Sequence, residues 1–171
     1  EQRAASAELG VTEVVFLRFP DGRLETTLPV RRALTRLIRQ VRPATVFAHD
    51  PTAHLFEGYM NHPDHRAAGL STLDAIFPSA GNPRAFRELL AEGLTAHKVA
   101  SVYLFYTANA NAWIDISGAA LERKIAALTR HVSQVGPEWD GATWLRDEAA
   151  REAKSVGVAA AEGFRRINLG E

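Results

Sequence analysis

The chain has 171 residues, 46% of them hydrophobic, which suits one ordinary domain with its own core and leaves little room for a second. Its 20 basic and 20 acidic residues balance, so no net field favours nucleic acid or an anionic lipid surface. Cysteine is absent, which excludes disulfides and thiolate metal sites and fits a reducing compartment, the cytoplasm.

The opening residues EQRAASAELG have neither the basic start nor the apolar middle of a signal peptide, and no apolar run approaches the about 18 residues of a membrane span. EVVFLRF, residues 13–19, predicts a buried strand that runs into a Pro-Asp-Gly turn carrying Asp21. VRRALTRLIRQV, residues 30–41, has apolar residues at helical spacing and arginines on the other, solvated face. ATVFAHD repeats the strand-then-loop pattern and sets His49 and Asp50 at the strand's carboxyl end. HRAAGLSTLDAIF, residues 65–77, predicts a helix with Pro63 suited to its first turn and with Ala68, Leu73, Ile76 and Phe77 on its apolar side.

FRELLAEGL reads as a short helical piece, and VASVYLFY and AWIDIS as strands. GAALERKIAALTRHV and TWLRDEAAREAKSVG return to helical period, the latter stopping at Gly157, and GFRRINL predicts a final edge strand. Strands alternating with helices predict an α/β fold: a Rossmann-like three-layer sandwich around a mostly parallel sheet, with functional loops at the carboxyl ends of the strands. Asp21, His49, Asp50 and the stretch 62–65 all fall at such ends, so they are expected to share one cleft.

NHPDHRAAG, residues 61–69, packs two imidazoles and a carboxylate around a proline at a helix start. Proline there fixes the backbone and leaves His62 near the cap, with Asp64 and His65 in the opening turn. A neutral imidazole is a good ligand for a zinc-type ion, and a carboxylate can fix a histidine's tautomer through its ring N–H. One histidine could therefore bind metal while the other, held by Asp64, moves protons. Capping accounts for Asp64 alone and for neither histidine.

With these residues the chain resembles the PIG-L/LmbE-like family of GlcNAc-PI de-N-acetylases and their bacterial relatives. The resemblance runs through LGVTEVVFLRFPDGRLE, LIRQVRPATVFAHDP into NHPDHRAAG, EGLTAHKVASVYLF, WIDIS and ERKIAALTRHVSQ. It implies a zinc-dependent hydrolase that removes an acetyl group from an N-acetylglucosamine-type conjugate, a small-molecule partner. It implies His65 as a metal ligand, His62 as the group that polarises and protonates the tetrahedral intermediate, and Asp64 as the residue orienting His62. By the same resemblance Asp21 contacts the sugar and His131 lies near the reacting acetamide.

The family's A-H-P-D-D-E element, which would bring two further zinc ligands and the catalytic base, is not in the sequence. Glu1 matches the glutamate of the family's R-x-x-E element, and the one methionine is Met60. The expectation is therefore a single deacetylase domain over residues 1–171, lacking its N-terminal strand and that element, with one Zn2+ in the intact parent and no activity in this fragment alone. The alternative is a non-catalytic carbohydrate- or zinc-binding domain, for which the spacing of His49 and His54 with His62 and His65 is metal-like. The loops 52–61 and 79–84 are expected to shape the substrate pocket, and His97 has no assigned role.

Overall fold

The structure is a computed structural model that describes residues 1–170 apart from 54, 57, 137 and 139. In chain order its elements are α1 (Gln2–Glu8), α2 (Leu28–Val41), β1 (Thr45–His49), β2 (Leu55–Phe56), β3 (Tyr59–Met60), α3 (Pro63–Asp74), α4 (Arg87–Ala91), β4 (Ser101–Phe105), β5 (Ala112–Asp115), α5 (Ala119–Thr129), α6 (Val132–Val135), α7 (Gly141–Ala153) and β6 (Ala161–Asn168). The four-stranded sheet has the order β1-β4-β6-β5, and β2 and β3 form a separate antiparallel pair. The fold is thus mixed α/β.

β1 and β4 run parallel, from Thr45 opposite Ser101 to His49 opposite Phe105, whereas β6 runs antiparallel to β4. Where the alternation of strands and helices predicted a mostly parallel sheet, these pairings are one of each kind. β6 also lies between β4 and β5 and not at an edge. The expected edge strand is thus an interior one, in which Arg166 covers the Tyr103 ring at 5.5 Å and Arg165 reaches Thr52 Oγ1 at 3.3 Å. Long basic side chains can lie along an interior strand when their heads find such partners.

The chain forms two compact units, one of residues 1–16 with 113–163 and the other of residues 17–112 with the segment from Phe164 onward. In the first, Leu121 and Ile125 of α5 pack with Leu145 and Ala149 of α7 and with Ala160. Arg130 donates to Glu8 Oε1 at 2.9 Å, and the Glu1 carboxylate accepts from the Ser133 N–H at 3.0 Å and hydroxyl at 2.6 Å.

In the second unit the core gathers Ile38 of α2, Ala48 of β1, Val102 and Leu104 of β4, Val99, and Ala75, Ile76 and Ala80. Each fully buried aliphatic side chain of this kind contributes roughly 1.5–3 kcal/mol. α2 starts at Thr27, an extended N-cap with Pro29 in the first turn, and ends where Arg42 turns left-handed at φ 54°. Its arginines divide: Arg32 and Arg36 pair with Glu88 and Glu92 at the surface, but Arg39 is 2% exposed, against the expectation of a solvated face. The Arg39 guanidinium donates to the carbonyls of Ser79 at 3.0 Å, Ala80 at 3.3 Å, Asn82 at 2.8 Å and Ala85 at 3.0 Å. The chain kinks at Phe77 (φ −134°, ψ 126°), and Arg39 finds its acceptors among the carbonyls of the segment beyond the kink. The same kink turns Phe77 out of the expected apolar stripe, 76% exposed.

The strand expected over residues 13–19 does not form. Those residues carry no regular element, and Val15, Phe16 and Phe19 are exposed. β-branched and aromatic residues favour a strand only where a neighbouring ladder and face receive them.

Candidate active site

The parallel register fixes where the polar residues fall. His49 is the last residue of β1 and Asp50 follows it, both at the carboxyl end of the β1–β4 pair. Asp50 is fully buried and accepts from the Thr52 N–H at 2.8 Å, the Thr52 hydroxyl at 2.6 Å and the Thr107 hydroxyl at 2.6 Å, with Arg165 Nη1 at 4.0 Å. Burial alone would raise its pKa, but the hydroxyl and amide donors together with Arg165 outweigh it and hold the carboxyl below its ordinary value. Asp50 is thus a buried fastening beneath the loop, not a wall of an open cleft as expected. At the far end of the loop, buried Asn61 donates from Nδ2 to the Ala53 carbonyl at 2.8 Å, and Arg66 donates to the Asn61 carbonyl. Both ends of the turn that leads into α3 are therefore held.

His62 is the N-cap of α3, with Pro63 opening the helix and Asp64 in its first turn. The Asp64 backbone N–H donates to His62 Nδ1 at 3.2 Å, satisfying one of the N–H groups a helix start leaves unpaired. Because Nδ1 accepts, the proton of the neutral ring sits on Nε2. The Asp64 carboxylate does not complete a hydrogen bond to that ring: Oδ1 stands 3.9 Å from Nδ1. It accepts instead from the backbone N–H of Gly22 at 2.7 Å and of Leu24 at 3.3 Å. Asp21, exposed in the turn next to Gly22, is thereby brought to the amino end of α3.

One turn into the helix, the His65 ring stacks on His49, with centroids 4.2 Å apart and planes 9° from parallel, and lies 5.4 Å from His62. α3 can approach this closely because position 69 is glycine: a Cβ there would lie 2.4 Å from the His49 carbonyl oxygen. Burial, and then the neighbouring His65, push the His49 pKa down to about 4. Burial and then His62 likewise lower that of His65, against the opposing pull of Asp64 and Asp21. Both rings are therefore held neutral at pH 7, the form in which imidazole binds metal.

Of the residues picked out in the sequence, Asp21, His62, Asp64 and His65 are drawn together, with His49 as an addition. His131 belongs to the other unit, where it precedes α6 and its carbonyl accepts from Gln134 at 2.8 Å and Val135 at 3.0 Å. His97 is a structural contact, its Nε2 lying 2.8 Å from the Pro43 carbonyl oxygen. His54 lies outside the described residues. In loop 79–84 the Ala80 carbonyl accepts from the His97 N–H, and Gly81 and Asn82 line a cavity of about 550 Å³ with Lys98 and Val99, at the opposite end of β4 from Phe105. Sequence reading missed the His49–His65 stack, Gly69, Thr107 and Arg165. The small residue in the first two turns of a predicted helix was the available signal for Gly69.

Among the described residues no group of three or more His, Asp or Glu side chains converges to hold a metal ion. A catalytic zinc site needs about three protein ligands, so the residues present do not by themselves fit a complete one. Among the described residues, no helix is long and apolar enough to cross a membrane.

The fold and site together define a mixed α/β protein with its ionisable residues gathered where a strand's carboxyl end meets a helix's amino end. Residues 1–76 match the family model for PIG-L, described as GlcNAc-PI de-N-acetylase. The chain is 37% identical over 169 residues to the diacetylchitobiose deacetylase of Thermococcus kodakarensis, an alignment covering 96% of this chain and 61% of that protein. It superposes on the N,N'-diacetylchitobiose deacetylase of Pyrococcus horikoshii, solved with an inhibitor, with a TM-score of 0.86 and 29% identity, over 96% of this chain and 60% of that one. A conserved protein from Thermus thermophilus follows with a TM-score of 0.74 and 28% identity, over 94% and 68% of the two chains. The PIG-L match thus lies in residues 1–76, and the relatives that align with nearly the whole chain are diacetylchitobiose deacetylases. The chain spans about three fifths of the length of the two deacetylases, 61% and 60%.

Proposed function

We propose that a protein of the relatives' length carrying these residues is an N-deacetylase, hydrolysing the acetamide of an N-acetylglucosamine-type sugar to acetate and a free amine. One observation carries the reading. His62 presents a half-exposed imidazole whose Nδ1 is occupied by the Asp64 N–H, so its remaining proton is offered from Nε2. A donor of that kind is what acetamide hydrolysis requires. Water gives up a proton to a general base as it adds to the carbonyl carbon, the carbonyl oxygen becomes an oxyanion that an N–H must stabilise, and the departing nitrogen must gain a proton before the C–N bond breaks. The amino end of α3 adds its partial positive charge beside the same oxygen.

Asp21 is the proposed contact to the sugar, its carboxylate suited to accept from hydroxyl groups. His131 is proposed to act near the acetamide on resemblance alone. His65 is proposed as a zinc donor, kept neutral by burial; when bound, zinc would lower the pKa of the attacking water. The described residues do not complete that site, and the roles given to His62 and Asp21 are independent of it.

The test is acetate release from N,N'-diacetylchitobiose. In the longer protein His62→Ala should cost at least about a hundredfold in kcat, within the usual range for a lost acid–base group. Unchanged kcat in that variant would remove His62 from the chemistry.

A further inference from the structure

We propose that Tyr59 and Tyr106 form the subsite for the sugar next to the one that carries the reacting acetamide, so that the site takes a disaccharide or longer GlcNAc-type chain. The inference rests on the deacetylase reading and adds to it the residues that select substrate length. The two rings meet edge to face, with centroids 5.7 Å apart and planes 79° from parallel, and each residue is 44% exposed. They stand at the carboxyl end of β1 and β4, beside the histidines. Tyr106 directly follows Phe105, whose ring lies 4.4 Å from that of His49, and His49 stacks on His65 at 4.2 Å. The His65 ring in turn lies 5.4 Å from His62, so ring contacts run without a break from the proposed proton donor to the residue before Tyr106.

Tyr106 is held half-exposed at a conformational cost. Its φ of 57° is left-handed backbone, which an aromatic residue rarely adopts. The Phe105 carbonyl accepts from the Asp50 N–H at 3.0 Å, and the Thr107 hydroxyl donates to the Asp50 carboxylate at 2.6 Å while accepting from the Asn109 N–H at 3.1 Å. Buried Asp50 therefore fixes the residues on both sides of Tyr106. Backbone strain that the surroundings maintain in this way gathers at functional positions. Tyr59 is set by the pairing of β3 with β2, where it lies opposite Phe56, and buried Asn61, two residues on, donates to the Ala53 carbonyl at 2.8 Å.

A right-angled tyrosine pair suits a sugar. A pyranose offers a face of C–H groups rimmed by hydroxyls, and a tyrosine offers an apolar ring face with a polar tip. One ring can lie against the C–H face while the other closes its edge, and both phenol groups can exchange hydrogen bonds with hydroxyls. A single N-acetylglucosamine held at its acetamide would leave this corner empty; a second sugar fills it.

The first arm of the test compares acetate release from N,N'-diacetylchitobiose and from N-acetylglucosamine by the protein of the relatives' length. Tyr59→Ala, and Tyr106→Asn, a substitution at home in left-handed backbone, should each lower the ratio of kcat/KM for the disaccharide over the monosaccharide roughly tenfold. Tyr59→Phe, which keeps the ring, should keep most of the ratio. An equal loss on both substrates, an unchanged ratio in either ring-removing variant, or a loss in Tyr59→Phe as large as in Tyr59→Ala overturns the proposal.

The second arm titrates the 171-residue chain with N,N'-diacetylchitobiose and follows its three tyrosine rings by NMR. The Tyr59 and Tyr106 ring resonances should shift, and those of Tyr103, covered by Arg166, should stay. No shift of Tyr59 and Tyr106, or an equal shift of all three rings, overturns the proposal. If neither sugar releases acetate, the deacetylase reading fails, and the ring shifts still decide whether the two tyrosines receive a sugar.

Discussion

The imidazoles of His49 and His65 lie face to face, 4.2 Å between centroids and 9° from coplanar, one at the end of a strand and the other in the first turn of a helix. The stack joins the sheet to the helix that carries His62 and Asp64. His49 Nδ1 is buried and, among the described residues, has no hydrogen-bond partner, so the ring serves here as a flat surface at a cost in desolvation.

Replacing His49 should separate these two contributions. His49→Phe keeps the stack and removes the unpaired nitrogen, so its thermal midpoint should equal or exceed the wild type. His49→Ala loses the stack and leaves a cavity, costing about 2–3 kcal/mol. Equal destabilisation in the two variants, measured by chemical denaturation, would mean that the nitrogen is bonded and that the stack is incidental.

Gly69 is predicted to be intolerant of even a methyl group. Alanine would gain about 1 kcal/mol in helix propensity, but its Cβ would meet the His49 carbonyl oxygen at 2.4 Å and Pro51 Cδ at 3.3 Å, and the backbone atoms cannot yield as a side-chain end could. Overpacking of this kind costs about 1–3 kcal/mol or more. Gly69→Ala should therefore lower stability and perturb the His65 ring resonances. A stabilised variant would show that α3 does not seat against β1 as described.

Asp50 supplies a pH dependence whose sign follows from its donors. Its folded pKa lies below the ordinary value, so it contributes stability at pH above about 4, and that contribution is lost as pH falls through the folded value. Thr107→Val removes the donor to Oδ2 at 2.6 Å and should cost about 1–2 kcal/mol at pH 7. The gap between variant and wild type should narrow as the carboxyl protonates in acid. A gap that stays constant across pH would show that Thr107 acts by packing alone.

The two histidines of the His-Pro-Asp-His stretch are predicted to separate metal from chemistry. In the longer protein, His65→Ala should lose bound zinc while His62→Ala keeps it and loses turnover. Metal content of the two purified variants tests the division, and equal zinc loss would mean joint chelation. The 171-residue chain alone should bind zinc weakly, since its described residues bring no three donors together.

Periodicity made α2, α3, α5 and α7 legible, and β-branched runs closed by polar loops marked β1 and β4, because these elements bury one face or are buried outright. The site's carboxyl-end position was legible for the same reason. Arg39 was not, since its burial depends on carbonyl acceptors some forty residues later in the chain. Residues 13–19 misled because strand propensity does not supply a partner strand. That the Asp64 carboxylate also accepts from the backbone N–H groups of Gly22 and Leu24 was not legible, since those contacts cross a fold that no local pattern encodes. His49 stood out as a histidine at a strand end, but its stacking on His65 depends on Gly69 bringing α3 close.

The most direct measurement is acetate released from N,N'-diacetylchitobiose, with zinc supplied, by a protein of the relatives' full length carrying these residues, by its His62→Ala variant and by the 171-residue chain alone. Release by the longer protein, with loss of at least about a hundredfold in the variant and none from the chain alone, is the predicted result. Equal turnover by the longer protein and its His62→Ala variant, or no release from this or any GlcNAc-type amide, would contradict the account.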